Sequence, residues 1–525
     1  MRLTGKTAGL LMLGAGYVAA VVLMIWRTAE EARPDRVTIR VSQWQLEGGV
    51  RQAFAAMIRR YEQLNPRVHV ELISIPDRTY RQWAQTQLIG GDAPDIVEYG
   101  VDFNSVGRFF SPITDEVMKP NPYNRGTPLE GVPWRDTFLD AMMNADGFNP
   151  QLNQYYAATL TQHSMRMIYN RPMLREITGS DQPPTNYREF LALCRQVQAY
   201  AQAHHRELSP IANSKDTVIG EAMFIFECTA SGVAARIDHR HVYGFTSKEL
   251  ALAYLRGDWS FREPELRIGL ELLQDLGKFS TPGFLQLSRD SGIMDFVRQR
   301  TLMVVAPSWE ASSLKELCDF EIGAFRYPVP LQDDPVYGAK MLGPYADGRL
   351  ATLMGMYVNR ATKHRAEAID FLHFITSVEG NQIFTDVSTW LPSVVGVKAS
   401  EYSRQFLPIY DGYIWSLDGG FMNLSGDDAI AQVRNNYFQL WGPNGAPEKY
   451  RAALDDGMKA RIISDLNREI SIRVQTLTRE DAAAAAAQML APGADAPVAL
   501  LPARLEGRTY QMITTVRSAE QEGAK

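Results

Sequence analysis

The chain has 525 residues, of which 45% are hydrophobic and 22% are charged, so it is long enough for two or more globular domains. Its net charge of −6 argues against nucleic-acid binding as the main task. Three cysteines (Cys194, Cys228 and Cys318) are too few for a disulfide framework, and the eight histidines show no zinc-site spacing. We therefore expect neither a metal nor another cofactor.

The N-terminal segment is apolar. Residues 8–26 form a run of 19 residues without a charge, which nearly spans a hydrocarbon core of about 30 Å. Arg2 and Lys6 precede this run, which predicts a cytoplasmic N-terminus and an exported body. The run ends in Met-Ile-Trp-Arg, a poor cleavage context, and no cysteine follows it for lipid attachment. The sequence thus favours residues 1–27 as a membrane anchor or uncleaved signal, with a transmembrane helix, over a cleaved signal.

The exported part opens with alternating strand and helix patterns. Apolar residues alternate over 37–45 and 68–75, whereas 49–64 has the helical period and stops at Asn65-Pro66. This order predicts a right-handed crossover between parallel strands. Similar patterns predict helices at 78–90, 186–205, 265–279 and 364–377, and strands at 95–100, 165–170, 301–307 and 351–359. The predicted fold class is α/β, with one or two open, mostly parallel sheets.

Aromatic and acidic residues follow several of the predicted strands. Ligands of open α/β sheets bind beside the carboxyl ends of the strands, so these loops are candidates for a binding site. Aromatic rings can cover the apolar faces of a sugar, and carboxylates can accept hydrogen bonds from its hydroxyls. The candidates at strand ends are Trp44, Glu47, Tyr99, Phe103, Trp309 and Glu310.

Several stretches, taken in order, resemble the extracellular solute-binding proteins of ABC importers, and among them the sugar and maltose-type binders. The most specific is GGDAPDIVEYG at 90–100, which is similar to the family's Gly-Asp-x-Pro-Asp turn before a strand. The other stretches are VSQW at 41–44, YEQLNPRVHVELISIP at 61–76, RMIYNRPML at 166–174, PPTNYREFLALCRQV at 183–197, FVRQRTLMVVAPSW at 296–309 and AEAIDFLHFITSVEGNQIF at 366–384.

This resemblance implies a periplasmic-binding-protein type II fold, in which two α/β lobes are joined by a hinge and close on a ligand. By the same resemblance, lobe one comprises 37–160 and 325–385, and lobe two comprises 161–324 and 386–470. A C-terminal helical and linker extension follows at 471–525. Its composition predicts a helix at 481–490, a linker-like stretch at 491–503, and a short strand or docking segment at 507–518.

The tryptophans and acids of the predicted cleft each have a structural alternative. Trp309 matches the family's tryptophan after a strand. Trp44 also lies at the end of a predicted strand, although either tryptophan could instead be a core residue. Glu47 and Glu310 could accept hydrogen bonds from sugar hydroxyls, or Glu47 could be a solvated loop acid. Asp95 is also a candidate, but an acid in a turn more often bonds neighbouring backbone amides.

The remaining candidates are aromatic. Tyr99 and Phe103 could line the cleft or belong to the core. Trp390 lies near the second crossing between the lobes, where it could re-enter the cleft or pack at the hinge. All of these side chains are predicted to act in ligand binding, and none in catalysis.

The main hypothesis is a membrane-anchored, extracytoplasmic binding protein at the inner (cytoplasmic) membrane. It would bind a carbohydrate or similar polar solute, a neutral sugar ahead of an anion, and deliver it to the transmembrane subunits of an ABC permease. One alternative is the same fold as a ligand-sensing module of a membrane signalling system. A glycosidase would need two acids at fixed separation, and the sequence contains no nucleophile elbow, P-loop or kinase signature, so we expect a protein that is not an enzyme.

Overall fold

A computed structural model describes residues 36–47, 49–99, 106–144, 146–149, 152–238, 245–341, 343, 346, 352–412, 417–418, 424, 426–490 and 497–523. Within this part of the chain, no helix combines the length and the apolar character needed to cross a membrane. The predicted membrane segment at 8–26 and the candidate Phe103 lie outside the described residues.

The strands, in chain order, are β1 (Val37–Gln43), β2 (Val68–Ser74), β3 (Ile96–Glu98), β4 (Phe148–Asn149), β5 (Gln154–Tyr155), β6 (Ala157–Gln162), β7 (Met165–Asn170), β8 (Ser209–Ala212), β9 (Phe245–Thr246), β10 (Thr301–Pro307), β11 (Ile322–Arg326), β12 (Thr352–Val358), β13 (Leu391–Pro392) and β14 (Leu417–Asp418).

The helices are α1 (Val50–Leu64), α2 (Asp77–Gly90), α3 (Val106–Phe109), α4 (Thr114–Val117), α5 (Arg171–Thr178), α6 (Tyr187–Ala203), α7 (Thr217–Ile237), α8 (Ser247–Arg256), α9 (Pro264–Phe279), α10 (Arg289–Val297), α11 (Glu310–Leu317), α12 (Arg365–Ile375), α13 (Val378–Ser388), α14 (Asp427–Asn435), α15 (Phe438–Trp441), α16 (Pro447–Leu490) and α17 (Pro497–Gly523). Short 3₁₀ helices lie at Pro122–Asn124, Trp134–Thr137, Phe284–Gln286, Gly338–Lys340 and Ser403–Phe406.

The first sheet has the strand order β13-β6-β12-β3-β1-β2. β1 pairs in parallel with β2, from Val37 opposite Val68 to Gln43 opposite Ser74, and it also pairs in parallel with β3. The predicted strand–helix–strand unit is therefore confirmed. β12 runs antiparallel to both β3 and β6. The sheet is mixed, and the expectation of a mostly parallel sheet is wrong here because alternation marks a strand but not its direction.

A glycine fixes the turn from β1 into α1. Gly49 has a φ of 86°, and a Cβ at this position would lie 2.8 Å from the carbonyl oxygen of Val387 in α13. Both the left-handed conformation and the close backbone approach favour glycine. The loop after β1 is therefore held directly against the C-terminal half of α13.

The second sheet has the order β11-β7-β10-β8. β10 is parallel to β8, whereas β7 is antiparallel to both β10 and β11. All seven residues of β10 are buried, which fits a central strand covered on both faces. Only His163 and Ser164 separate β6 of the first sheet from β7 of the second, so the chain crosses between the sheets in two residues.

Each sheet has its own apolar core. We call the first sheet with α1, α2, α12 and α13 the first lobe, and the second sheet with α5–α11 and α14–α17 the second lobe. Tyr327, Val329 and Met341, within the range predicted for lobe one, pack in the core of the second lobe, and Trp390, within the range predicted for lobe two, packs in the core of the first. Phe384 packs in the core of the first lobe, inside the predicted range 325–385.

The C-terminal helices belong to the second lobe. α16 has 44 residues, a length of about 66 Å, and its buried side chains recur every four residues at Tyr450, Leu454, Met458, Ile462 and Leu466. α17 returns along it and adds Met512, Val516 and Ala519 to the same core. The predicted helix at 481–490 lies within α16, and the segment 507–518 is a docked helix instead of a strand.

Replacing Val516 by Asp places an unpaired carboxylate in the contact between α17 and the second lobe. We expect Val516→Asp to lower the free energy of unfolding by about 3 kcal/mol, because a buried charge is left without a partner. Thr514→Asp, on the exposed face of the same helix, is the matched control. Urea denaturation followed by circular dichroism measures both variants, and equal midpoints would show that α17 is not docked.

His373 is a partly buried histidine of α12. Its ring centroid lies 4.2 Å from that of Trp134, and its Nε2 is buried without a hydrogen bond in the described structure. Burial lowers the pKa of His373 to about 4, although Asp370 and Glu116 act in the opposite direction. The unfolded chain binds this proton near pH 6.5, so the contribution to stability is complete above that pH and is lost as the pH falls toward 4.

We expect the wild-type protein to lose about 2 kcal/mol of unfolding free energy at this residue between pH 7 and pH 5. His373→Gln removes the ionisable group, so its stability should depend less on pH over this range. His204→Gln, at an exposed histidine, should keep the wild-type profile. Urea midpoints at the two pH values test this, and an unchanged slope in His373→Gln contradicts the assignment.

Candidate functional site

The loop after β1 is tied to a buried acid at the end of β3. The backbone N–H of Trp44 donates to Glu98 Oε2 over 3.1 Å, and Gln45 Nε2 donates to Glu98 Oε1 over 2.7 Å. Glu98 itself has no exposed surface. Because β1 and β3 are neighbouring parallel strands, their carboxyl ends meet at one edge, which lets Glu98 reach the adjacent loop.

The side chain of Trp44 lies half-buried in an aromatic row. Its ring centroid is 5.0 Å from that of Tyr80, which in turn is 5.6 Å from that of Trp83. The Tyr80 hydroxyl donates to the backbone oxygen of Glu98 over 2.7 Å and lies 2.9 Å from the Ser42 hydroxyl. The indole of Trp44 is thus held in place, with part of its surface open to solvent.

Burial shifts the ionisation of Glu98. It raises the pKa of Glu98 to about 8, while the hydrogen bonds from Gln45 and Trp44 lower it and the nearby charges of Asp146 and Glu47 raise it further. Desolvation dominates because a carboxylate without water is costly. Glu98 therefore keeps its proton to a higher pH than an exposed glutamate does.

The corresponding edge of the second lobe lies at the end of β10. Ser308 N donates to the oxygen of Ser164 over 2.9 Å, which joins this strand end to the crossing between the sheets. Trp309 follows, and its ring centroid lies 5.3 Å from that of His163. Trp309 also packs against the core of the first lobe, so this side chain reaches from one lobe to the other.

The next residue, Glu310, forms an ion pair with Arg289 at the start of α10. Its side chain is 17% exposed. Burial raises the pKa of Glu310, Arg289 opposes this, and Glu47 and Asp290 add to it. The charge of Glu47 from the first lobe thus acts on the carboxyl group of Glu310 from the second.

Glu47 has acceptor capacity that the fold does not use. Its Oε2 is buried and has no hydrogen bond in the described structure. Of the residues predicted from the sequence, Glu47 and Glu310 interact electrostatically between the lobes, and Trp44 and Trp309 lie near them along the chain. Aromatic surface and carboxylate acceptors from both lobes suit a ligand with apolar faces and many hydroxyl donors.

Asp95 lies at the opposite end of β3 from Glu98. Its carboxylate accepts a hydrogen bond from the backbone N–H of Arg40 over 2.8 Å and another from the Thr362 hydroxyl. This capacity is used within the first lobe, as expected for an acid that stabilises a turn. The contacts of Asp95 indicate a structural role.

Tyr99 and Trp390 are core residues in the structure. Tyr99 is 7% exposed, and its ring centroid lies 5.2 Å from that of Phe110. Trp390 is 3% exposed, with its ring centroid 6.3 Å from that of Phe384. These contacts favour the packing alternative for both residues, and Phe103 lies outside the described residues.

Sequence analysis missed a second buried acid, behind the end of β8. Asn213 Nδ2 donates to Glu221 Oε2 over 2.8 Å and to Ser280 Oγ over 3.1 Å. Burial raises the pKa of Glu221 to about 7, and the hydrogen bond from Asn213 lowers it. The only signal in the sequence was Asn213-Ser214 after a four-residue strand that contains Pro210, which is too short to predict by alternation.

Sequence analysis also missed Gln45, Glu98 and Arg289. An acid within an alternating strand normally faces water, so nothing in the sequence marked Glu98 as buried. Arg289 contacts Glu310 across 21 positions of sequence, and only the fold brings these residues together. Within the described residues, no group of three or more His, Cys, Asp or Glu side chains is arranged to hold a metal ion.

Comparison with known proteins identifies the family. Residues 56–405 match the model of the bacterial extracellular solute-binding proteins. The multiple sugar-binding protein of Streptococcus mutans serotype c is 23% identical over 384 residues, which make up 71% of this chain and 79% of that protein.

Solved structures show the same fold. The apo form of RafE from Streptococcus pneumoniae has a TM-score of 0.58 at 16% identity, covering 82% of this chain and 98% of that one. A chitin oligosaccharide binding protein has a TM-score of 0.55 at 15% identity, and the match covers 82% of this chain and 99% of that one. The family model spans most of the chain and agrees with the resemblance found in the sequence, so this protein belongs to the bacterial extracellular solute-binding proteins.

Proposed function

We propose that this protein is the sugar-binding component of an ABC importer and that it holds a carbohydrate between its two lobes. The observation that carries the proposal is the electrostatic effect of Glu47 on Glu310, since these acids come from different lobes and each follows a half-buried tryptophan. The names of similar proteins point the same way, since they include a multiple sugar-binding protein and RafE in complex with raffinose. None of these names favours the alternative of a sensory module.

We further propose that the lobes close on the ligand by rotation about the crossings between the sheets. The crossing at His163–Ser164 is short, and it is hydrogen bonded to the end of β10, which carries Trp309. A small rotation there would move Trp309 and Glu310 relative to Trp44 and Glu47. Closure of this kind completes a site from two half-sites and changes the surface that a permease would contact.

Residues 8–26 are proposed to anchor the protein at the outer face of the cytoplasmic membrane. The support is the uncharged run itself and the basic residues before it. After fractionation of the producing cells, the full chain should sediment with membranes and withstand a carbonate wash. A protein starting at residue 28 should stay in the supernatant, and recovery of the full chain in the supernatant contradicts the anchor.

Sugar binding should raise the melting temperature of residues 28–525. The panel contains raffinose, maltotriose, chitobiose, galactose, glycerol and amino acids. A ligand at 100 times its dissociation constant stabilises the folded state by about 2.7 kcal/mol. Trp309→Ala should abolish the shift, whereas Trp441→Phe, at a tryptophan that bonds to Leu273 in the second lobe, should keep it. A shift with amino acids alone, or none with any sugar, contradicts the proposal.

Glu47 and Glu310 should contribute to the affinity for the sugar and not to its cleavage. For the sugar that gives the largest shift, Glu47→Gln and Glu310→Gln should each weaken binding about 10- to 100-fold, since a hydrogen bond to a charged group contributes about 1.5–3 kcal/mol. Glu379→Gln, on the exposed face of α13, is the control. Calorimetry measures the affinities, and chromatography of the recovered sugar tests for cleavage, which would instead support the glycosidase alternative.

A further inference from the structure

We propose that Trp83 of α2 is a second aromatic contact for the ligand, beside the cleft, and that the ligand is therefore an oligosaccharide instead of a single sugar ring. This inference rests on the proposed function, because it extends the site to which Trp44 belongs. It adds a residue that sequence analysis did not select, and it names the length of the ligand: one sugar unit lies at Trp44 and another on Trp83.

An aromatic row leads from the loop after β1 to the side of the first lobe. The ring centroids of Trp44 and Tyr80 are 5.0 Å apart, and those of Tyr80 and Trp83 are 5.6 Å apart. The two indoles therefore lie within 10.6 Å of each other, the sum of these two distances. A short oligosaccharide can reach across this separation, and each indole offers a flat apolar surface to one sugar ring.

The three rings of the row differ in exposure. Tyr80 is 3% exposed, and its hydroxyl donates to the backbone oxygen of Glu98 over 2.7 Å, so this ring is fixed between the indoles. Trp44 and Trp83 are both half-buried and keep part of their surface in solvent. Tyr80 is therefore the positioning residue of the row, and the indoles supply the surface for the ligand.

The start of α2 lies at the same edge of the sheet as the loop of Trp44. β1 and β2 are parallel, so their carboxyl ends share one edge, and α2 begins at Asp77, three residues after β2 ends at Ser74. Tyr80 and Trp83 are three positions apart in the first two turns of α2, which places them on one side of the helix. The row is thus continuous with the candidate cleft.

Neutral polar side chains flank Trp83 along α2. Thr79 and Gln87 are four residues before and after it, so they lie one turn away on the same side of the helix. The Thr79 hydroxyl donates to the oxygen of Pro76 over 3.1 Å and keeps its capacity to accept, while the Gln87 amide has both a donor and an acceptor. An apolar plate with such neighbours suits the face and the hydroxyls of a sugar ring.

The test compares trisaccharides with single sugars. Calorimetry of the full chain in a sugar-free detergent measures the affinity for raffinose against galactose and for maltotriose against glucose. Trp83→Ala should weaken binding of the trisaccharide about 3- to 10-fold, the range expected for one aromatic contact, and leave the single sugar unchanged. Trp83→Phe, which keeps a ring, should retain most of the affinity. Ile89→Ala, at a residue of α2 that is 71% exposed, should bind every sugar like the wild type.

Oxidative footprinting of the wild type, read by mass spectrometry, does not depend on the folding of any variant. A bound trisaccharide should protect both Trp44 and Trp83 from oxidation, whereas a bound single sugar should protect Trp44 and leave Trp83 unchanged. Tyr510, which is 62% exposed on α17, is the internal reference.

Four results would overturn the inference while leaving the proposed function intact. These are binding of single sugars alone, an unchanged trisaccharide affinity in Trp83→Ala, an equal loss for single sugars and trisaccharides, and oxidation of Trp83 that a bound trisaccharide does not reduce. Binding of a trisaccharide without its single sugar supports the inference if Trp83 is protected. If the wild type binds no sugar at all, the proposed function fails, and this inference fails with it.

Discussion

The hydrogen bonds between Ser164 and Ser308 set how the two halves of this molecule meet. Ser164 lies in the two-residue crossing from β6 to β7, and Ser308 lies where β10 ends. Because the connection is so short, the last residue of one sheet and the first of the next cannot separate far. Trp309 is consequently placed beside His163 and against the first lobe. The candidate cleft depends on this placement, since its acids and indoles come from both lobes.

Both lobes support the edge of the cleft with a buried carboxyl group. Glu98 does so behind the end of β1, and Glu221 does so behind the end of β8, where it holds Asn213. Burial raises the pKa of both groups, to about 8 and about 7. Each of these carboxyl groups accepts a hydrogen bond from a side-chain amide in a dry environment, which a hydrophobic side chain cannot do. The loops that they hold can therefore stay ordered without being part of the core.

The sequence predicted the parts of the fold that are marked by local pattern. The strand at 37–43 and the helix at 50–64 follow from alternation and amphipathicity, and Trp44 and Trp309 were chosen as binding candidates because they come after strands. The antiparallel direction of β12 and the burial of Glu98 could not be predicted, since both depend on which distant segments lie next to each other. A docking segment was one of the two alternatives predicted for 507–518, but its helical form was not predicted, because the apolar positions at 512, 516 and 519 matter only in contact with the second lobe.

The position of Trp309 has a consequence for the molecule without ligand. A rotation that moves the end of β10 away from the first lobe withdraws this indole from the apolar core of that lobe and exposes it to water. Full burial of a large aromatic side chain is worth roughly 1.5–3 kcal/mol, so even partial loss of this contact disfavours opening. Opening of the cleft is therefore opposed by the same indole that is proposed to contact the sugar, and closure on the ligand buries that apolar surface again.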